Sequence, residues 1–428
     1  MEKQEKRIRE LEELVARLEA RLTLYENAHT PPSKKSFPEK EDKNVSGRLG
    51  RPPGFEGCTR KQPKPDRTVV AFKKECDYCH STLGEPMGFV TKIIEEIPKP
   101  QPITVTEFQL ACYSCPHCGK QSVAEDEDCP KEGVFGNRTM AQVSLLKYCG
   151  RLPCKLVCKA MERDFGLVFT PSTVLSINER VASALEPEYN RVLKRIRSAP
   201  VLNVDETSFR VHGVNYWLWV FATPTDVIIV IRASRSKKVL EEVLGKTFGG
   251  VIVCDGWKTY SNFTQKLQRC WAHLLREAKF VARQEASAKP LQDFLKKLYY
   301  KLVKGLESNP IFEDRLRLYK SASNALECLV KQKWKGIETK ELIELIRNGL
   351  KHWLTFVLIP RVEPTNNRAE RALREHVVIR KIIGSLRTPK GVHSHEVITS
   401  VLHTWRLQSP EKESELRERL AQAIKEAK

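Results

Sequence analysis

The sequence predicts an α/β core preceded by a short coiled coil, a cysteine-bearing segment and a helical segment. Three observations carry this expectation. From Pro200 the strings VLNVD, NYWLWVFAT, DVIIVIRA and GVIVCD follow one another as strands. Helical patterning resumes near Ala272, runs to about Val357, and returns in PTNNRAERALREHVVIRK. Two Cys-x2-Cys pairs stand upstream of both. Strands interleaved with helices imply a sheet with helices packed on it.

The 428 residues are enough for two to four domains at roughly 100–200 residues each. Lys and Arg number 73 against 53 Asp and Glu, a net charge of +20. Such an excess calls for a polyanionic partner, nucleic acid first. A hydrophobic content of 41% excludes a largely disordered chain. No apolar run nears the length of a membrane span; Val227 to Ile231 is typical of the longest. The opening MEKQEKRIRE holds no apolar signal-peptide core, so neither secretion nor a membrane partner is expected. Thirteen cysteines, an odd number in a long chain, suit a reducing cytoplasm better than a disulfide framework.

Residues 1–28 carry heptads. Ile8, Val15 and Leu22 occupy a, and Leu11, Leu18 and Tyr25 occupy d. β-Branched a residues with Leu at d favour a parallel dimer, so a homodimer is expected. Arg7 and Arg21 at g can reach Glu12 and Glu26 at e of a partner helix. Residues 29–70 are rich in Pro, Gly and charge and read as a linker.

Residues 71–130 read as a zinc-ribbon-like segment in which ITVTEFQLAC is strand-forming. Cys76-Asp-Tyr-Cys79 and Cys115-Pro-His-Cys118 are separated by 35 residues, room for a β-hairpin arm. Four thiolates suit tetrahedral Zn²⁺ in a closed, structural site. Cys112 is also two residues from Cys115, but Gly119 after Cys118 completes the tight turn, so Cys115 and Cys118 are taken. Residues 131–196 read as helical. LVCKAMERDFG ends at Gly166, and Thr170-Pro171-Ser172 starts the next helix, the outline of a helix-turn-helix. Ordinary helix packing gives the same outline.

Residues 197–280 form the first part of the core, 281–358 a helical insertion, 359–408 the second part, and 409–428 a charged helix. Asp205 ends VLNV, Asp255 ends GVIVC, and Glu370 follows on a helix. Acids at two strand ends and on a later helix form the layout of ribonuclease-H-like nucleotidyl transferases. Two Mg²⁺ ions, about 3.5–4 Å apart, need such carboxylates to activate one oxygen and stabilise another. The bland readings are a strand-end turn at Asp205, an Asp-Gly turn at Asp255, and a capping box at Asn367-x-x-Glu370. Glu206, Asp226, Glu363 and Glu375 compete for the same places. Glu363 precedes Pro364 and is expected off the helix. Arg368, Arg371 and Arg374 surround Glu370, and Arg380-Lys381 extends a basic surface for DNA phosphates.

Taken together, these residues resemble the insertion-sequence-66-type DDE transposases. The matching strings are Asp205-Glu206-Thr207, Trp217-Leu218-Trp219, Asp255-Gly256-Trp257 through Tyr260, Cys270-Trp271-Ala272-His273 through Arg276, and Asn366-Asn367-Arg368-Ala369-Glu370-Arg371. The resemblance implies a ribonuclease-H-like core with a helical insertion between the second and third acids. It implies Asp205, Asp255 and Glu370 as ligands of two Mg²⁺, with Asp205 bridging. It also implies cleavage at a mobile element's ends and transfer to target DNA, in a prokaryotic cytoplasm and on the nucleoid when bound. Accessory transposition proteins often accompany such enzymes. Cys270-x2-His273 resembles a feature of several DDE families and is expected to be structural. A catalytically silent regulator and a nuclease without strand transfer share most of these features.

Overall fold

The computed structural model describes residues 64–95, 103–130, 132–409 and 413–427. The heptads of 1–28 and most of the linker lie outside the described residues. The chain divides into two compact units, one of them Thr30–Gln101, the other including Pro102–Lys428.

In the smaller unit, a bridge between Glu75 and Thr82 closes a tight turn around the first cysteine pair. In the larger unit, β1 (Cys112–Ser114) and β2 (Gln121–Val123) pair antiparallel around the second. The preceding ITVTEFQLA is not a strand as expected; ladder pairing begins only at Cys112. Strand-forming residues cannot hold a ladder without a partner, and β1 meets one only over three residues.

Three helices follow: α1 (Asn137–Tyr148), α2 (Cys154–Phe165) and α3 (Pro171–Arg197). Gly166 ends α2 at φ 68, a left-handed cap that side chains rarely adopt. Thr170 caps α3 by accepting the Thr173 N–H, with Pro171 at the first helical position.

The sheet has the order β5-β4-β3-β6-β7. Its strands are β3 (Val201–Val211), β4 (Val214–Ala222), β5 (Val227–Arg232), β6 (Val251–Cys254) and β7 (Leu267–Arg269). β3, β4 and β5 form an antiparallel meander, while β6 and β7 run parallel to β3. α4 (Lys237–Leu244) and α5 (Lys258–Phe263) cover one face, packing on Leu202, Val204, Trp219 and Ile252. α11 (Asn367–Ile383) and α12 (Pro389–Gln408) cover the other, against Phe209, Leu218 and Val220.

Between β7 and α11 stand α6 (Trp271–Gln284), α7 (Lys289–Leu306), α8 (Phe312–Lys331), α9 (Ile337–Asn348) and the short α10 (Thr355–Leu358). They enclose their own core around Trp271, Leu295, Leu326 and Ile346. α13 (Glu413–Glu426) returns to α1, and Leu420 joins Val143, Val181 and Val401 in one cluster. The chain's end therefore closes the core of its first helices.

β5 is an edge strand, and α12 satisfies it. Ile231 N–H donates to Glu396 at 2.6 Å, Ile229 N–H to Ser400 at 2.9 Å, and Val227 N–H to Thr404 at 3.0 Å. Four helical residues advance about 6 Å and two strand residues about 6.7 Å. The two periods nearly match, so a polar residue every fourth position of α12 can meet every second N–H of β5. A row of donors that would otherwise invite another strand is thereby occupied.

Candidate active site

β3 presents Asp205 and Glu206 to opposite faces because strand side chains alternate. Glu206 points to the α4–α5 side. There its carboxylate takes the Tyr260 hydroxyl and the Arg235 guanidinium, the latter at 2.6 Å. Asp205 points to the α11 side with Asn203 and Thr207. Of the neighbouring pair, the structure leaves Asp205 as the one toward Glu370.

Asp205 does not end its strand, as the sequence suggested; β3 continues to Val211. The apolar run stops because Glu206 and Thr207 have tertiary partners, the latter Arg380. The β3–β6 ladder, however, ends at Asn203↔Val253. Asp205 thus lies just past its parallel partner, where the sheet opens. Asp255 directly follows β6 and accepts the Trp257 N–H at 2.9 Å. Glu370 sits in the first turn of α11.

Burial raises the Asp205 carboxyl well above the ordinary carboxylate range, and the charges of Glu206, Asp255 and Glu370 raise it further. Asp255 and Glu370 are therefore each close enough to Asp205 to act on its carboxyl. The buried Glu370 Oε1 lies 3.4 Å from His273 Nδ1 and accepts no hydrogen bond among the described residues. A buried acceptor without a donor and a carboxyl crowded by like charges both fit a cation site.

Asn366, fully buried, was read in the sequence only as part of a motif. It is not a side-chain cap for α11, and the capping-box reading at Asn367 is not borne out. Its side chain instead donates to Val204 O at 2.8 Å and accepts from Asn203 at 3.2 Å. Its N–H donates to Cys270 Sγ at 3.1 Å, and its carbonyl accepts the Glu370 N–H at 3.1 Å. Cys270 in turn donates its N–H to Cys254 O at 2.9 Å. One amide thus ties together the neighbours of Asp205, Asp255 and Glu370. No local signal marks it in the sequence, because its side-chain partners lie 162 and 163 residues away.

Donor atoms of Cys270, His273 and Glu370 lie within 4.8 Å of one another. Burial holds the Cys270 thiol protonated and pushes His273 below its usual value. With its sulfur already engaged by Asn366, Cys270 suits a structural part.

The basic residues divide. Arg368 pairs with Glu363 at 2.6 Å. Arg380 is pinned to Thr207 and Ser208 of β3. Arg371 and Arg374 form no ion pair among the described residues, and with Asn367 and Glu370 they line a cavity of about 250 Å³. Lys381 is exposed. Among the competing acids, Glu363 precedes α11, Glu375 binds Arg151, and Asp226 binds Arg195.

The cysteine pairs share one local form. His80 N–H reaches Cys76 O at 3.1 Å, and Gly119 N–H reaches Cys115 O at 2.9 Å. The residue after each second cysteine is left-handed, His80 at φ 57 and Gly119 at φ 68. The Ser81 hydroxyl lowers the Cys79 thiol, and the Cys118 N–H lowers that of Cys115. Cys112 instead lies on β1, opposite Val123.

A family model described as "Transposase IS66 family" matches residues 132–394, more than half of the chain. Two uncharacterized proteins of Sinorhizobium fredii are similar along their length. One, y4jD, is 22% identical over 86% of this chain and 78% of its own. The other, y4hP, is 24% identical over 82% of this chain and 72% of its own.

Proposed function

Because this chain belongs to the IS66 family of transposases, we propose that it is an active DDE transposase that cuts a mobile element's ends and joins them to target DNA. What supports this is that Asp205, on the central strand β3, feels the charges of Asp255, just past β6, and of Glu370, on α11. The antiparallel meander, the two parallel strands and the helical insertion before Glu370 support a ribonuclease-H-like core.

Asp205, Asp255 and Glu370 would hold the Mg²⁺ ions. Bound Mg²⁺ supplies activation of the attacking oxygen and stabilisation of the leaving one. The protein's part is to hold three carboxylates against their own repulsion, through the Asn366 clasp. Arg371 and Arg374 offer two unpaired cations to the phosphates beside Glu370, and Lys381 and the remaining basic surface add salt-dependent affinity. Water attacks the phosphodiester at the element end and releases a 3′-hydroxyl. That hydroxyl attacks target DNA in line, so no protein–DNA bond forms.

The knuckle cysteines Cys76, Cys79, Cys115 and Cys118 are read as structural zinc ligands, supported by their paired turns. Residues 131–196, with the zinc segment, are read as binding the element's terminal inverted repeats. The heptads outside the described residues are read as pairing two subunits, so that both ends are held together.

The test is a gel of end-labelled element DNA with Mg²⁺, with accessory proteins supplied. Asp205→Asn, Asp255→Asn and Glu370→Gln should each lower cleavage by roughly a thousandfold or more while DNA binding survives. Glu363→Gln should keep substantial activity, because Glu363 faces Arg368 rather than the acids. Wild-type protein that binds its ends but never cuts them would favour a silent regulator.

A further inference from the structure

Trp257 is an anomaly of the site. It stands two residues after Asp255, yet 44% of it is exposed. Solvent exposure of a large indole normally goes with mobility, but this one is held. Its backbone N–H donates to the Asp255 carboxylate at 2.9 Å, which ties the main chain that carries the ring to the second acid. The Arg235 guanidinium lies over the ring, 4.1 Å from its centroid. Arg235 is itself confined. Trp217 lies 4.7 Å away, and the buried Glu206 pairs with it at 2.6 Å. Glu206 is held in turn by Tyr260. Packed groups thus run from the core, through Tyr260, Glu206 and the partly exposed Arg235, to an indole that stays 44% exposed.

We propose that Trp257, backed by Arg235, is a stacking platform for a nucleobase that leaves the DNA duplex beside the cleaved phosphate. This rests on reading the acid cluster as a DNA-cleaving centre. Three features select a base over another occupant. A flat aromatic ring with a cation behind it stacks any base through its π-face, whatever the sequence. The ring is ordered in advance, so little conformational freedom is lost on binding. The phosphate handled by Asp255 would carry its own nucleotide, and Trp257 stands only two residues along the chain from that acid. A simple packing role for the Arg–Trp stack would predict a buried ring instead.

The probe is a duplex of about 30 base pairs ending in one unpaired 2-aminopurine nucleotide, compared with the same duplex made blunt. Binding is read without added Mg²⁺ and without chelator, so that cleavage is suppressed and the proposed zinc is retained. The full-length chain should bind the unpaired end about tenfold more tightly than the blunt end. Trp257→Ala should bring that ratio to about one, and Trp257→Phe should keep several-fold. The ratio within each variant is the readout, so a general loss of folded protein cancels. Quenching of 2-aminopurine by the wild type, absent in Trp257→Ala, should accompany the preference. A wild-type ratio of one, or a preference that survives Trp257→Ala, overturns the proposal. A chain that shows the Trp257-dependent preference but cuts no element DNA would lose the transposase reading and keep the platform. Cleavage with no such preference would do the reverse.

Discussion

At the scale of the residue, Asp205 is held in a conflict. Its carboxyl is buried beside three other acids, and its pKa is raised well above the ordinary value. The folded chain therefore binds this proton more tightly than the unfolded chain does. The resulting stability is present below the ordinary carboxylate pKa and is lost as pH rises through the raised one. Above the ordinary carboxylate pKa, and without divalent metal, Asp205 therefore weakens the fold. Asp205→Asn removes one of the crowded charges and keeps the shape. It should stabilise the metal-free protein on the order of 1 kcal/mol, as relief of a functional site commonly does. Thermal melts at pH 7.5 check this. Mg²⁺ should raise the melting temperature of the wild type and leave that of Asp205→Asn nearly unchanged. A wild type indifferent to Mg²⁺ would remove the cation site from the cluster. The choice of Asp205 over Glu206 was legible in the sequence only as strand alternation. What decides it is Tyr260 and Arg235 on one face and α11 on the other.

At the scale of the element, legibility follows sequence distance. The cysteine knuckles are local: two thiols, a turn and a left-handed residue within five positions. Their turns were readable from the two-residue spacing and from Gly119 after Cys118. The α2–α3 boundary was readable for the same reason, through Gly166 and Thr170. The ladder from α12 to β5 was not, because Glu396, Ser400 and Thr404 meet partners 165–177 residues away. Polar residues every fourth position look like a solvated stripe until the edge strand is set beside them. Asn366 was opaque likewise, since its bonds reach Val204 and Cys270. The local elements also carry a local test. Purified full-length protein should contain about one tightly bound zinc per chain by elemental analysis. Cys76→Ser combined with Cys118→Ser should remove it. A folded, metal-free wild type would sink the zinc reading.

At the scale of the whole molecule, the helix bearing Glu370 is joined to the rest through buried histidines. His376 of α11 meets His395 of α12 at 3.0 Å, and the His403 ring lies 5.6 Å from that of His376. Tyr148 of α1 packs edge-on against His395, so the cluster links three elements. Burial pushes all three imidazoles down: His376 well below its usual value, His395 to about 3 and His403 to about 4. The surroundings are mixed in charge. Lys147 faces His395, while Glu375, Arg406 and Arg151 face His403, and only Glu375 favours protonation. Each depressed imidazole must be neutral in the fold yet takes a proton once unfolded. Its stabilising contribution is complete above the unfolded pKa, about 6.5. As pH falls below that value the contribution shrinks by about 1.4 kcal/mol per unit for each histidine, until the folded pKa is reached. Several buried acids change in the opposite sense, so the total slope is a poor gauge of the cluster. A difference between variants isolates it. His403→Gln removes one titrating ring, and its stability relative to wild type should improve steadily from pH 6.5 to pH 4. Denaturant midpoints across that range, each converted to a free energy, give the difference directly. The gain should approach about 1.4 kcal/mol per pH unit, superimposed on a constant packing loss. A difference independent of pH would mean that His403 is as readily protonated in the fold as outside it. The neutral cluster would then not be what joins α11 to α12.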